Sequence, residues 1–205
     1  MMILGLTGSI GMGKSRAGRV FRRLGVPVFD ADHMVHRLME KGGTAVGAVE
    51  HAFPGTVRDG AVDRTALGAQ VFEKPDELRR LESILHPRVR LARARFLRQE
   101  RVRRTAMVVL DIPLLFETGG DANCDYTAVV SAPYFIQRTR VLRRRGMSKE
   151  KFAAVLAQQM PDAEKRRRAD FVIPTGNSFR YSFDVIRDIV KRLTDPCSEQ
   201  AGPVS

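Results

Sequence analysis

The sequence predicts an α/β protein with a five-stranded parallel sheet flanked by helices. Three observations support this fold class: an apolar segment that ends in a glycine-rich loop, a helical pattern directly after that loop, and apolar segments that recur later in the chain. Strands of a parallel sheet have continuous apolar runs because helices cover both faces. The 205 residues are enough for one such core with helical additions.

The first βαβ unit lies at the start of the chain. "MILGLT" (2–7) is an apolar run typical of a buried strand. Apolar residues then follow with helical spacing, and Gly25 supplies a stop signal. These apolar residues are Ala17, Val20, Phe21 and Leu24. "VPVFDAD" (26–32) predicts the second strand, so the segment has the pattern of a parallel βαβ unit.

The middle of the chain, from about Met34 to Arg104, has mainly helical periodicity, interrupted by turn signals at "KGG", "FPG", "RDG" and "KPD". Pro87 is expected to break or kink the long helical pattern there. Residues 88–104 contain eight arginines and predict an amphipathic helix with a basic face. A solvated surface is the favoured interpretation, since a nucleic-acid site would need interleaved aromatic side chains.

Strand-like segments return in the second half of the chain, at 105–113, 125–133 and 169–174. The last two are separated by a helical, arginine-rich segment. A final amphipathic helix has the apolar face Phe183, Ile186, Ile189, Val190 and Leu193. Residues 196–205 have no periodicity and predict a disordered tail. The architecture therefore has helical insertions after strand two and between strands four and five.

The net charge of +12 favours a polyanionic partner, which can be a nucleic acid, a membrane surface or a phosphorylated small molecule. No apolar stretch approaches the roughly 20 residues that span a bilayer, and the first residues lack signal-peptide features. Cys124 and Cys197 form neither a disulfide framework nor a metal cluster. We expect a reduced cytoplasmic protein, monomeric or weakly associating, that binds small molecules rather than nucleic acid or membrane.

The loop "GLTGSIGMGKS" (5–15) is the most specific functional signal. It fits the phosphate-binding pattern G-x-x-x-x-G-K-S/T, between a strand and a helix. Backbone N–H groups and the helix N-terminus bind phosphate, Lys14 reaches the β- and γ-phosphates, and Ser15 holds Mg²⁺. The pattern predicts a nucleotide but does not identify the reaction. The predicted binding residues are Gly8, Gly11, Met12, Gly13, Lys14, Ser15 and Arg16.

Three carboxylates end predicted strands, at the edge of a parallel sheet where ligands collect. Asp111 ends "MVVLD", and it can either hold a magnesium ion, directly or through water, or cap the next turn. Asp30 and Asp32 end the second strand. A carboxylate there can accept the proton of an acceptor hydroxyl, and an Asx turn or a helix N-cap is the alternative.

In this order, "TGSIGMGKS", "VPVFDAD", "ILHP" and "DIPLLFE" resemble the motifs of dephospho-coenzyme A kinases, and the similarity covers essentially residues 3–193. "QRTRVLRRRG" and "KRRRADFVI" extend it. The resemblance implies transfer of the ATP γ-phosphate to the ribose 3′-hydroxyl of dephospho-CoA, the last step of coenzyme A synthesis. It also implies a P-loop NTPase fold like that of nucleoside-monophosphate kinases. The implied parts are a core (1–33, 105–136 and 161–195), a helical CoA-binding region (34–104) and a lid (137–160).

The resemblance also implies substrate-side residues. Asp32 matches the second aspartate of the family's D-A-D motif, which makes it the candidate base. Arg64 and Leu114 are implied to contact the substrate. His86 of "LHP" is implied to do so as well, and a structural histidine is the alternative that stays open.

The lid pattern Q-x-x-R-x-x-x-R matches Gln137, Arg140 and Arg144, whose spacing predicts one helical face. Arg140, together with Lys14, is implied to stabilise charge on the transferred phosphoryl group, and it is favoured over Arg138 and Arg143. A solvated basic helix is the alternative interpretation.

Three segments depart from the family pattern. Arg16 stands where a threonine is usual, which leaves the α-phosphate contact open. Val155 replaces an arginine, although Gln159 of the same motif is present. "FVIPTGN" replaces the usual F-V-I-D-N, so adenine-side contacts near Pro174 are open as well.

Two other functions fit parts of the sequence. A kinase for another small metabolite would share the core but would leave the motifs "DAD", "LHP" and "PLLFE" unexplained. A nucleotide-dependent switch or a nucleic-acid-binding ATPase would share the loop, but the N-K-x-D element of guanine switches does not occur in the sequence.

Overall fold

The computed structural model describes residues 1–72 and 74–195. It divides the chain into two compact units, one of Met1–Phe29 with Glu100–Ser205 and one of Asp30–Gln99. The predicted tail 196–205, including Cys197, lies outside the described residues. No helix in the described part of the chain has both the length and the apolar character needed to cross a membrane.

The strands, in chain order, are β1 (Met2–Thr7), β2 (Val28–Asp30), β3 (Val57–Arg58), β4 (Ala61–Val62), β5 (Met107–Asp111), β6 (Tyr126–Ser131) and β7 (Phe171–Pro174). The helices are α1 (Lys14–Arg23), α2 (Ala31–Met39), α3 (Val46–Ala52), α4 (Arg64–Val71), α5 (Pro75–Val102), α6 (Tyr134–Leu142), α7 (Lys149–Ala157), α8 (Asp162–Arg168) and α9 (Phe179–Thr194). A short 3₁₀ helix covers Gly120–Asn123.

The predicted five-stranded sheet is confirmed, with the strand order β2-β5-β1-β6-β7. The pairs β1–β5, β1–β6 and β6–β7 are all parallel. In this register Leu6 lies opposite Asp111, and Ser131 lies opposite Pro174. The carboxyl ends of the strands therefore meet at one edge, which also carries the glycine-rich loop after β1.

The core of the first unit lies between the sheet and the helices α1 and α9. Leu4 and Leu6 of the central strand are fully buried, in agreement with its apolar run. Phe21 of α1 and Ile186 of α9 are buried in the same cluster. Residues of the sheet, α1 and α9 together exclude water from a continuous apolar layer, which holds the strand ends in place.

The second unit has its own apolar core, formed by helices α2 to α5 and the hairpin β3–β4. This hairpin was not predicted from the sequence. Its turn, Asp59-Gly60, has positive φ angles of 51° and 80°. Asp-Gly is a preferred pair for a two-residue hairpin turn with two positive φ angles, so the local signal was present in the sequence.

Of the two outcomes expected at Pro87, the break is wrong, because α5 continues through it, and the kink stays a prediction. Leu81 and Leu85 anchor this part of the helix in the core of the second unit. The side chain of Arg88 donates from Nη1 to the carbonyl oxygen of Ile84 at 2.6 Å. Apolar burial opposes the cost of a proline inside a helix.

Candidate functional site

The loop between β1 and α1 has the backbone geometry of an anion site. Gly13 adopts a left-handed conformation (φ 93°) and caps α1 without any side-chain hydrogen bond. A Cβ atom on Gly8 would lie 2.2 Å from Val130 Cγ2, so a residue with a side chain cannot replace it without displacement. The first turn of α1 contains no acidic residue. Its N-terminal amide groups and positive dipole are therefore available to a negatively charged ligand.

Lys14 and Asp111, both predicted to act at the nucleotide, form an ion pair. Lys14 is the first residue of α1, and Asp111 is the last residue of β5. The two side chains meet because β1 and β5 are parallel neighbours that end at the same edge. Their side chains are 14% and 2% exposed, respectively, so the ammonium group is held beside the loop by a carboxylate that water hardly reaches.

The segment 137–160, which the resemblance implies to be a lid, contacts the loop through Ile10. The backbone N–H of Ile10 donates to Gln159 Oε1 at 3.0 Å. Gln137 Nε2 donates to the carbonyl oxygen of Ile10 at 2.8 Å. Gln137, a predicted lid residue, is buried, and both backbone groups of Ile10 are bound by side chains from the segment 137–160.

An ion pair between Glu117 and Lys165 contacts the backbone next to Gln159. Glu117 Oε1 lies 2.7 Å from Lys165 Nζ and accepts the N–H of Met160 at 2.9 Å. Lys165 is fully buried. Burial raises the pKa of Glu117, but the ion pair with Lys165 and the hydrogen bond from the N–H of Met160 outweigh this effect and lower the pKa below its usual value. Since Met160 follows Gln159, the pair fixes the segment that reaches Ile10.

The guanidinium of Arg140 lies at the loop and binds neutral oxygen atoms. Nη1 donates to Thr175 Oγ1 at 3.1 Å and lies 3.4 Å from the carbonyl oxygen of Gly11, and Nη2 donates to the carbonyl oxygen of Thr175 at 2.6 Å. No carboxylate pairs with Arg140 within the described residues. Burial, and to a smaller extent the charge of Arg16, lower the pKa of Arg140. This uncompensated cation favours an anion beside the loop.

The prediction that the three lid residues share one helical face is wrong for Arg144. Gln137 and Arg140 lie on α6, but this helix ends at Leu142. Arg144 is exposed in the following turn, where its N–H donates to the carbonyl oxygen of Val141 three residues earlier. Arg138 and Arg143 are exposed too, whereas Arg140 is half-buried; the functional preference for Arg140 over these two neighbours stays a prediction.

Arg16, the residue that departs from the family pattern, is exposed in the first turn of α1. Its guanidinium lies over the ring of Phe179, 4.6 Å from the centroid, which is a cation–π contact. Ser15, which precedes it, is also exposed. Both side chains therefore stand at the N-terminal end of α1, and their contacts with a nucleotide stay predictions.

Asp30 and Asp32 have separate positions at the start of α2. Asp30 is the N-cap and accepts the N–H of His33 at 2.9 Å. Asp32 lies in the first turn, is exposed, and makes no hydrogen bond or ion pair with the described residues. The N-cap alternative that the sequence left open is therefore filled by Asp30, and Asp32 keeps both carboxylate oxygens for a ligand.

The other predicted substrate-side residues are exposed. Arg64 begins α4, and Asp63 caps this helix; hydrogen bonds from the N–H groups of Ala66 and Thr65 lower the pKa of Asp63. His86 is exposed on α5, so it is not a buried structural histidine. Leu114 is exposed in the turn after β5. No hydrogen bond or ion pair within the described residues joins Asp32, Arg64 and His86, so their convergence on one substrate stays a prediction.

The protein groups available to a metal are few. Within the described residues, no group of three or more His, Cys, Asp and Glu side chains could hold a metal ion. Ser15 and Asp111 offer oxygen atoms, which are the ligands that Mg²⁺ prefers. This donor set is too small for an all-protein metal site, but it fits an ion that brings phosphate and water ligands with it.

Sequence reasoning missed Thr175, Glu117 and Lys165. The last two lie in the motifs "DIPLLFE" and "KRRRADFVI", which carried the family resemblance without a role for either residue. Thr175 lies in "FVIPTGN", a segment that was noted only because it departs from the family pattern. The available signal for the ion pair was that Glu117 and Lys165, two residues of opposite charge, each lie in a motif shared with the family. No local sequence pattern indicated a role for Thr175.

Comparisons with known proteins show the family of the chain. The sequence model of the family described as Dephospho-CoA kinase matches residues 2–180. A dephospho-CoA kinase of Paramagnetospirillum magneticum is 66% identical over 166 residues, which are 81% of this chain and 78% of the relative. Another, of Mesorhizobium japonicum, is 53% identical over 193 residues, which are 94% of this chain and 97% of the relative.

The fold has a counterpart among solved structures as well. A dephospho-CoA kinase from Campylobacter jejuni superposes with a TM-score of 0.63. The alignment covers 94% of this chain and 97% of that chain, at 24% sequence identity. This likeness shows that the two chains share a fold.

Proposed function

The chain belongs to the dephospho-CoA kinase family, whose members catalyse the final, ATP-dependent step of coenzyme A biosynthesis, and we propose that Lys14, Asp32 and Arg140 carry it out here. The ribose 3′-oxygen of dephospho-CoA forms a bond to the γ-phosphorus of ATP. The bond from that phosphorus to the β–γ bridging oxygen breaks, so ADP leaves. The hydroxyl proton passes to a carboxylate. The observation that carries the proposal is the Lys14–Asp111 pair beside the open N-terminus of α1.

Lys14 and Arg140 stabilise the charge on the transferred group. Lys14 lies at the loop that binds phosphate, and Arg140 bonds only to neutral oxygen atoms among the described residues. An arginine whose charge is not compensated by a carboxylate interacts strongly with phosphoryl oxygens, particularly in a site that excludes water. The lid residues Gln137 and Arg144 belong to the same proposal, as parts of a segment that shields the reaction from hydrolysis.

Asp32 is the proposed base. Its carboxylate is exposed and free of hydrogen bonds and ion pairs within the described residues, while Asp30 caps the helix. A carboxylate with open acceptor sites can orient the 3′-hydroxyl and take its proton as the bond to phosphorus forms. Arg64, His86 and Leu114 are proposed to bind dephospho-CoA, whose phosphates and apolar arm suit a cation, a hydrogen-bonding ring and an exposed aliphatic side chain.

Mg²⁺ is proposed to accompany ATP, with Ser15 and Asp111 as its protein ligands, the latter directly or through water. When bound, the ion neutralises part of the phosphate charge. The small number of protein oxygen ligands supports a metal that arrives with the nucleotide.

A cytoplasmic location, a monomeric or weakly associating state and the three functional regions expected from the sequence remain part of this proposal.

One assay tests the proposed activity. The full chain is incubated with Mg·ATP and either dephospho-CoA or CoA, which differ only in the phosphate on the ribose 3′-oxygen. We expect ADP and CoA in equal amounts with dephospho-CoA, and no ADP above background with CoA. ADP formation that is the same with both compounds, or with neither, would contradict the proposal.

A further inference from the structure

We propose that Thr175 is a positioning residue, whose hydroxyl fixes the Arg140 guanidinium against the glycine-rich loop. The proposal rests on the role proposed above for Arg140. It assigns a task to the segment "FVIPTGN", which departs from the usual family sequence. The family resemblance gave no role to this threonine.

The backbone of Thr175 is held at the edge of the sheet. The residue directly follows β7, and its N–H donates to the carbonyl oxygen of Ser131 at 2.7 Å, which continues the pairing of β6 with β7. Thr175 is only 4% exposed. Its side chain therefore starts from a fixed point next to the carboxyl ends of the strands.

The hydroxyl of Thr175 can connect the loop and Arg140 at the same time. A hydroxyl has one hydrogen to donate and two lone pairs to accept. The oxygen lies 2.5 Å from the carbonyl oxygen of Met12 and 3.3 Å from that of Ser131; both can only accept, and the hydrogen points to the nearer one, Met12. Arg140 Nη1 then donates to a lone pair of the same oxygen at 3.1 Å. The carbonyl oxygen of Thr175 receives Nη2, so both ends of the guanidinium fork are held by one residue.

The loop is shaped to admit this side chain. A Cβ atom on Gly13 would lie 3.1 Å from Thr175 Oγ1 and 3.2 Å from its Cβ, so a larger residue in the loop would press against Thr175, and the φ of 93° would strain its backbone as well. Arg140 has no carboxylate partner within the described residues. The orientation of the guanidinium therefore depends on neutral acceptors, which hold the group without neutralising the charge that a phosphate needs.

The test compares Thr175→Ala with Thr175→Ser, two variants that differ only in the hydroxyl oxygen. We expect kcat/KM for ATP to fall about tenfold in the alanine variant, the order of one hydrogen bond to a charged group. The serine variant should stay within about threefold of the unaltered chain. KM for dephospho-CoA should not change in either. In an Arg140→Ala background, the difference between the alanine and serine variants should disappear.

Other results overturn the proposal. Equal activity of the two variants shows that the hydroxyl has no role, and an undiminished difference in the Arg140→Ala background shows that it does not act through Arg140. If the alanine variant does not fold by circular dichroism, Thr175→Val, which also lacks the hydroxyl, takes its place. If the unaltered chain does not phosphorylate dephospho-CoA, the proposed function fails. In that case the role of Thr175 is tested by ATP affinity, measured by calorimetry. Thr175→Ala and Thr175→Val, which lack the hydroxyl, should bind ATP more weakly than Thr175→Ser and the unaltered chain.

Discussion

Lys14 and Asp111 form an ion pair between the first residue of α1 and the last residue of β5. The pair joins two elements that are 97 residues apart in the sequence. Asp111 is almost completely buried, so its carboxylate depends on a partner to compensate for lost hydration. The pair therefore has a structural task as well as the task proposed for Lys14 at the phosphates.

Replacing Lys14 by Met should destabilise the protein as well as abolish turnover. The change removes the ammonium group that pairs with the buried Asp111 carboxylate, and losing one member of a buried ion pair costs about 3 kcal/mol in comparable sites. Urea unfolding monitored by circular dichroism measures this loss. If Lys14→Met is as stable as the unaltered chain, the pair does not stabilise the fold.

Replacing Asp32 by Asn should lower kcat by about a hundredfold, because an amide cannot accept the hydroxyl proton and general-base catalysis contributes roughly that factor or more. The measurement is steady-state kinetics with dephospho-CoA and saturating Mg·ATP. Asp30→Asn is the matched control, since asparagine is also a good N-cap. This control should keep kcat within about threefold. Similar losses in both variants would remove Asp32 from its proposed role.

Replacing Arg140 by Ala should reduce kcat/KM for ATP by about a hundredfold, because one charge-assisted contact to the phosphoryl group is lost. Arg138→Ala changes the net charge by the same amount at an exposed position of the same helix. It should leave kcat/KM within about twofold at moderate salt. Equal losses would indicate a general effect of positive charge rather than a contact made by Arg140.

Acid should remove the stability that Glu117 supplies. The pKa of Glu117 is lowered in the folded chain, so its contribution is fully present above the ordinary value of about 4.5 and is lost as the pH falls through the lowered value. Unfolding by urea, measured between pH 7 and pH 3, should show a stability difference between the unaltered chain and Glu117→Gln. That difference should shrink below about pH 4.5. A difference independent of pH would contradict the ionised state of Glu117.

The sheet and the loop could be predicted because their signals are local. The apolar run before Gly8 and the helical pattern after Lys14 each specify one element, and parallel connections limit how those elements assemble. The hairpin at Asp59-Gly60 had a local signal too, but it lay among helical patterns. The continuity of α5 at Pro87 could not be inferred locally, since it depends on burial in the second unit.

The contacts around the loop could not be predicted because they depend on chain positions far apart. Thr175 Oγ1 meets the carbonyl oxygen of Met12 across 163 residues, and Gln159 meets Ile10 across 149. Spacing within a segment does not tell where such side chains point. For Arg144 the spacing within the segment was misleading. It predicted a position on the same helical face as Gln137 and Arg140, but α6 ends two residues earlier, at Leu142.

Ile10 is bound through both its N–H and its carbonyl group by Gln159 and Gln137. These two hydrogen bonds restrict the backbone of the loop in the folded chain. A backbone that is restricted on folding loses less entropy when a ligand binds, so a triphosphate bound at this loop would lose mainly its own conformational freedom.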